Sequence, residues 1–278
     1  MLIGSLPPIS KAPSSVKAAP SPLDAAQTPP EAFRSIAAAC IAQLQLNELG
    51  AREDDPEFIH QMRVALRRLR SALRIFRPVL PDGLEQAAVP PIHDLAGALG
   101  TARDWDVLAE EIVEPARRSF AADARLAALA AAVGEARQQA RAVAQQVLAA
   151  PGHAAALLDL NARLHQDGSA AAGESLVAFA ARRLNRLHKK ALALADAAQE
   201  NDPASLHALR IGVKRLRYAL EFFAPLHRAR DVRDALEALT ALQDALGALN
   251  DLSRAGALLA QCLDGNPGLR EAVALTGG

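Results

Sequence analysis

The chain has 278 residues, 31 lysines and arginines against 31 aspartates and glutamates, and only 3% aromatic residues. That length supports one large or two moderate domains with a well-buried core. No apolar run approaches the roughly 18–20 residues of a membrane span, and no basic region followed by an apolar segment marks a secretory signal, so the cytoplasm is the expected compartment. Cys40 and Cys262 stand apart without a CxxC or Cys–His spacing; they read as buried free thiols and give no basis for a metal site.

Alanine and leucine dominate and period-two runs of β-branched residues are scarce, so the expected fold class is all-α. The balanced charge hides an uneven distribution. Residues 60–77 hold six arginines, 182–190 hold five arginines or lysines and 207–217 hold four, with no acid in any of the three. The rest of the chain is left with 16 of the 31 bases against all 31 acids. Local concentrations of one sign bear on partners more than the net value does.

Residues 1–30, rich in proline, serine and alanine, read as a flexible lead-in. A first helix is expected from near Pro30 to Gly50, with Phe33, Ile36, Cys40 and Leu44 on one face. Asp55-Pro56 then supplies an N-cap and a first-turn proline for a second helix, which Pro78 stops. In that helix Ile59, Met62, Leu66, Leu69, Leu73 and Phe76 recur at spacings of three and four, the pattern of one buried face. One position after each runs His60, Arg63, Arg67, Arg70, Arg74 and Arg77. At about 100° per residue this row lies beside the apolar stripe and not opposite it, so the guanidinium stems can pack while their heads share a groove. From His60 to Arg74 the row spans about 21 Å, the shape of a site for a long, repeating anion.

Pro81-Asp82-Gly83 reads as a turn, followed by helices near 84–101, 103–119, 122–149 and 152–166. Gln166–Ser169 is the clearest break and divides a first half, 31–166, from a second, 167–264, with a tail over 265–278. Helices in the second half are expected near 172–199, 203–224, 229–248 and 250–263. His207–Pro225 copies His60–Pro78 at an offset of 147. His207, Arg210, Lys214 and Arg217 form the same row; Asp202-Pro203 repeats the cap; Leu242, Leu246, Gly247 and Asp251 repeat Leu95, Leu99, Gly100 and Asp104. At the row's end Glu221 and Ala224 replace Arg74 and Arg77. Two halves with one layout imply a pseudo-twofold molecule that brings the basic rows toward a shared cleft.

Arg183, Arg186 and Lys190 share one face of the helix preceding the second copy, and a short loop makes that helix its antiparallel neighbour. Arg68 and Arg215 follow the row by one position and turn more than 100° from its centre, where ion pairing elsewhere competes with a binding role. Asp104 and Asp106 invite a paired-carboxylate reading, but orienting arginines fits them better, since only Asp104 has an acidic counterpart, Asp251. Structural ion pairing of the whole basic row is the competing account of its charges; it leaves their duplication in register unexplained. No HExxH, GxGxxG, Walker or nucleophile-elbow motif occurs.

HQMRVALRRLRSAL and its copy HALRIGVKRLRYAL, with DPEFIHQMR, LGTARDWDVL and LQDALGALND, resemble the CHAD family, the conserved-histidine α-helical domain, over about residues 31–263. The resemblance implies two four-helix bundles related by a pseudo-twofold axis, and non-catalytic binding of inorganic polyphosphate in a basic central cleft. It places His60, Arg63, Arg67, Arg70, Arg74, His207, Arg210, Lys214 and Arg217 around the ligand, with no cofactor, no metal and an association with polyphosphate granules. Such domains often follow a triphosphatase domain whose ExExK signature is absent from this sequence. Two other readings use the same cations. Nucleic acid is a phosphate polymer too, although one Trp and one Tyr leave little for base stacking. A helix-borne histidine could also accept a phosphoryl group, as four-helix phosphotransfer domains do.

Overall fold

A computed structural model describes residues 14–53, 55–164 and 173–266, and among them all regular structure is helical. In chain order the helices are α1 (Pro29–Arg52), α2 (Pro56–Phe76), α3 (Leu84–Val107), α4 (Glu114–Ser119), α5 (Ala124–Ala149), α6 (Pro151–Leu164), α7 (Leu176–Asp196), α8 (Pro203–Phe223) and α9 (Ala229–Gly265). Of the tail expected over 265–278, Gly265 ends α9 and the part beyond Asn266 lies outside the described residues, as does the expected break at Gln166–Ser169.

The repeat is carried into the backbone residue by residue. The Asp55 carboxylate accepts from the Glu57 N–H at 2.9 Å and starts α2. Asp202 does the same for α8, accepting from Ala204 at 3.0 Å and Ser205 at 3.2 Å. Both helices run 21 residues and end in a 3₁₀ turn containing the proline, Arg77–Val79 and Ala224–Leu226. Each boundary of α8 and of the turn after it is therefore the corresponding boundary of α2 and its turn plus the offset read from sequence. Pro81–Gly83 turns the chain as expected, with Gly83 at a φ of 79° that favours glycine.

Two expected interruptions do not occur. The helices foreseen at 84–101 and 103–119 form one helical run through a π-helical segment, Leu108–Val113, into α4; those at 229–248 and 250–263 form the single helix α9. A glycine inside a helix costs about 1 kcal/mol. Leu95, Leu99, Ala102 and Trp105 are all buried along one stripe of α3, and burying even one such side chain returns more than that.

The halves share a core. Phe76 at the end of α2 lies 5.8 Å from Phe33, 5.3 Å from Phe179 and 5.6 Å from Phe223, ring centre to ring centre. One apolar cluster thus joins α1, α2, α3, α5 and α6 to α7 and α8. The two halves are not covered alike. α5 and α6 cover α3, whereas Leu242 and Leu252 of α9 stay exposed although their counterparts Leu95 and Trp105 are buried. The lead-in also departs from a free chain over its described part. The Val16 N–H donates to Asn47 Oδ1 at 2.9 Å, the Val16 carbonyl accepts from Asn47 Nδ2 at 2.9 Å, and Leu23 packs on the core. Asn47 is fully buried, so its amide needs partners and the strap's backbone supplies them. No helix among the described residues is long and apolar enough to cross a membrane.

Candidate functional site

The α2 stripe from Ile59 to Phe76 is buried throughout. That phase forces the neighbouring row to the edge of the core, where His60, Arg63, Arg67 and Arg70 are half-buried and Arg74 reaches solvent. On α8 the buried residues Leu209, Val213 and Leu216 set Arg210 and Lys214 in the same half-buried position.

Five of these residues, His60, Arg63, Arg67, Arg74 and Arg210, line two cavities of about 440 Å³ each, which share no lining residue. In the first, His60, Arg63 and Arg67 of α2 meet Arg210 of α8. Its rim carries Arg103 of α3 and Arg254 of α9, which the sequence reading missed. Arg103 sat in the RDWDV stretch already singled out; Arg254 had no signal, because its repeat counterpart is Val107. Asp104 takes the arginine-orienting role. It accepts from Arg254 Nη2 at 2.8 Å and stands 3.7 Å from Arg63 Nη1, which also donates to the Gly100 carbonyl at 2.6 Å. Asp106 lines neither cavity. It is fully buried and accepts from Arg137 Nε at 2.7 Å and Arg141 Nε at 2.9 Å, fastening α5 to α3.

The second cavity is lined by Arg74 of α2, Arg183, Arg186 and Lys190 of α7, and Arg215 of α8. Its one acidic lining residue, Glu85, is taken by Arg77 at 2.9 Å. Arg183 is anchored through Nη2 to the Arg74 carbonyl at 3.1 Å. Arg70 lines neither cavity, but its charge acts on Lys214 and that of Arg74 acts on it.

Asp104, Glu111 and Asp251 also line the first cavity, where Asp104 meets Arg63 and Arg254 and Glu111 meets Arg103, so the carboxylates compensate only part of the cation cluster. Among the described residues Arg67, Arg70, Arg74, Arg210, Lys214, Arg215, Arg186 and Lys190 have no carboxylate partner. Arg67, Arg183, Arg210 and Arg215 each keep a buried Nε without a hydrogen-bond acceptor, a state that ordinarily calls for a ligand or solvent. Lys214 registers the result: burial, and then the charges of Arg67, Arg210, Arg70 and Arg63, pull its pKa down to about 7. Burial also lowers the pKa of His60; Glu57 opposes this, while Arg67, Arg103 and Arg63 reinforce it.

Five expected contacts line neither cavity: Arg70 and Lys214, both half-buried, and three that are exposed or held elsewhere. His207 is exposed and lines neither. Arg217 donates through Nε to Gln243 at 2.9 Å, pairs with Glu221 and lies over the Tyr218 ring. Arg68 pairs with the same Glu221 at 3.3 Å and lies over Phe222. A larger groove of about 790 Å³ runs between the Ala224–His227 turn and α9, lined mainly by apolar groups such as Val232 and Leu236. It takes none of the row. No group of histidine, cysteine and carboxylate side chains among the described residues is arranged to hold a metal ion.

The model of the CHAD domain family matches residues 35–260. Among solved structures, the chain is similar to the CHAD domain from the plant Ricinus communis, at 38% identity and a TM-score of 0.82, over 94% of this chain and 88% of that one. It is also similar in fold to PptA from Streptomyces chartreusis, at 17% identity and a TM-score of 0.65, over 85% of this chain and 87% of that one. No curated protein matches the chain.

Proposed function

This chain belongs to the CHAD domain family, and from that premise and the geometry of its cavities we propose that it binds inorganic polyphosphate and performs no reaction on it. The observation that carries the reading is the meeting of cations from both copies of the repeat, with buried guanidinium nitrogens left without acceptors. A chain of phosphates meets that need without covalent chemistry. Its oxygens supply the missing acceptors, its charge relieves the repulsion around Lys214, and its repeat allows one molecule to engage both cavities. His60, Arg63, Arg67, Arg210 and Lys214 form one end of the path, Arg70 its middle, and Arg74, Arg183, Arg186, Lys190 and Arg215 the other. Two bundles about a pseudo-twofold axis are the arrangement this path assumes. The reading places the protein in the cytoplasm, with polyphosphate granules as a site of association.

Titration with phosphate, triphosphate and long polyphosphate at two salt concentrations tests it. Affinity should rise steeply with chain length through effective concentration and fall steeply with salt as counterions are released. The double variant Arg67→Glu/Lys214→Glu should bind polyphosphate at least a hundredfold more weakly while remaining folded. Equal binding of single-stranded nucleic acid at matched salt would favour the nucleic-acid reading. Acid-labile phosphate on His60 or His207 would favour phosphotransfer.

A further inference from the structure

The offset that relates the two copies also relates their flanks. Arg215, Arg74 and Lys190, which line the second cavity, correspond to Arg68, Glu221 and Gln43. These two places, equivalent by sequence, hold opposite contents. Around Arg215 there is an open cationic cavity of about 440 Å³. Around Arg68 the chain's own oxygens stand where a ligand's would. The Glu221 carboxylate is 3.3 Å from Arg68 Nη1, and the Ala19 carbonyl lies 3.5 Å from Arg68 Nη2. The Val16 carbonyl accepts from Gln43 at 3.4 Å and from Asn47 at 2.9 Å. Glu221 also holds Arg217, a member of the α8 row that lines neither cavity.

We propose that Glu221 is a built-in counter-anion: it occupies Arg68 and Arg217 in the place of ligand phosphate and closes the first-half flank, so that of the two equivalent flanks only that of Arg74, Arg183 and Arg215 is open to a polyphosphate chain. The proposal rests on the polyphosphate reading above. Glu221 is a specificity-determining residue in this account. A carboxylate repels a phosphate chain, and one that satisfies two guanidinium groups removes them from the set available for binding. Position 221 is the place where the second copy departs from the cation of the first, Arg74, which is why one flank is sealed and the other open.

The test compares wild type, Glu221→Gln and Arg68→Gln/Glu221→Gln for long polyphosphate affinity across a salt series, with thermal melts as the fold control. Releasing two cations should raise the affinity of Glu221→Gln roughly three- to tenfold and steepen the log-affinity against log-salt slope by about one to two. The double variant frees Arg217 alone and should keep about half of each gain. It carries the test if the single variant is unfolded by its stranded Arg68. Wild-type affinity and slope in folded variants overturn the proposal while leaving polyphosphate binding intact. Failure of the wild type itself to bind long polyphosphate at low salt overturns the functional reading instead.

Discussion

Lys214 offers the sharpest perturbation, because its depressed pKa reports the cation cluster directly. The folded protein lowers it from 10.5 to about 7, first by burial and then through Arg67, Arg210, Arg70 and Arg63. The unfolded chain therefore binds more protons than the folded one across that interval, and stability must rise with pH through it. The penalty is present in full below about pH 7 and fades toward pH 10.5. At about 1.4 kcal/mol per unit it amounts to on the order of 4 kcal/mol near neutrality. Lys214→Met keeps the stem and removes the charge, so without ligand it should melt higher than wild type near pH 7, by on the order of 10 °C. The gap should close as pH rises toward 10. Long polyphosphate restores the proton to Lys214, so wild-type affinity should fall above pH 7 by up to about tenfold per unit. The variant should bind more weakly at pH 6 and with a flatter pH profile. Melting curves by differential scanning calorimetry and binding titrations between pH 6 and 9.5 provide both readouts. A Lys214→Met variant that melts below wild type at every pH, or a gap that does not change with pH, would refute the reasoning.

Other outcomes follow from single contacts. Asp106→Asn should lower the unfolding free energy by about 3 kcal/mol in urea titrations, because Arg137 and Arg141 lose the charge they share at a fully buried carboxylate. Gly50→Ala should lower the melting temperature despite better helix propensity, since its Cβ would sit 2.4 Å from the Phe58 ring; Gly97→Ala, with nothing within 4 Å, should raise it, with an unfolding free energy higher by the helix-propensity gain of about 1 kcal/mol. Arg186→Ala/Lys190→Ala should weaken binding of long polyphosphate several-fold and leave triphosphate affinity unchanged at the cavity of His60 and Arg67, as compared by isothermal titration.

Much of the cationic surface was legible in the order of the residues. The Asp-Pro caps, the stopping prolines, the buried stripe and the basic row of α2 and α8 all rest on interactions within a few residues, so periodicity and capping read them correctly. The fates of individual cations were not legible. Lys214 and Arg217 stand three residues apart in one row, yet one faces the cluster and the other is held by Gln243 and Glu221. Arg68 and Arg215 occupy equivalent places in the repeat; Arg68 meets Glu221, while Arg215 meets open space. Arg103 and Arg254 reach the first cavity only because α3 and α9 cross there. The docking of Val16 on Asn47 depends on a buried amide 31 residues away.

Local order fixes α2, α8 and the cationic rows they carry, because dihedral preference, capping and the burial of an apolar stripe act over one or two turns; the continuity of α3 into α4 and of α9 rests on burial by distant elements. Tertiary structure alone decided which cations are neutralised, which are buried without an acceptor, and that Phe33, Phe76, Phe179 and Phe223 form one core across both halves. Charge pairing and desolvation depend on distances between elements far apart in the chain, and those distances come into being only when the helices pack.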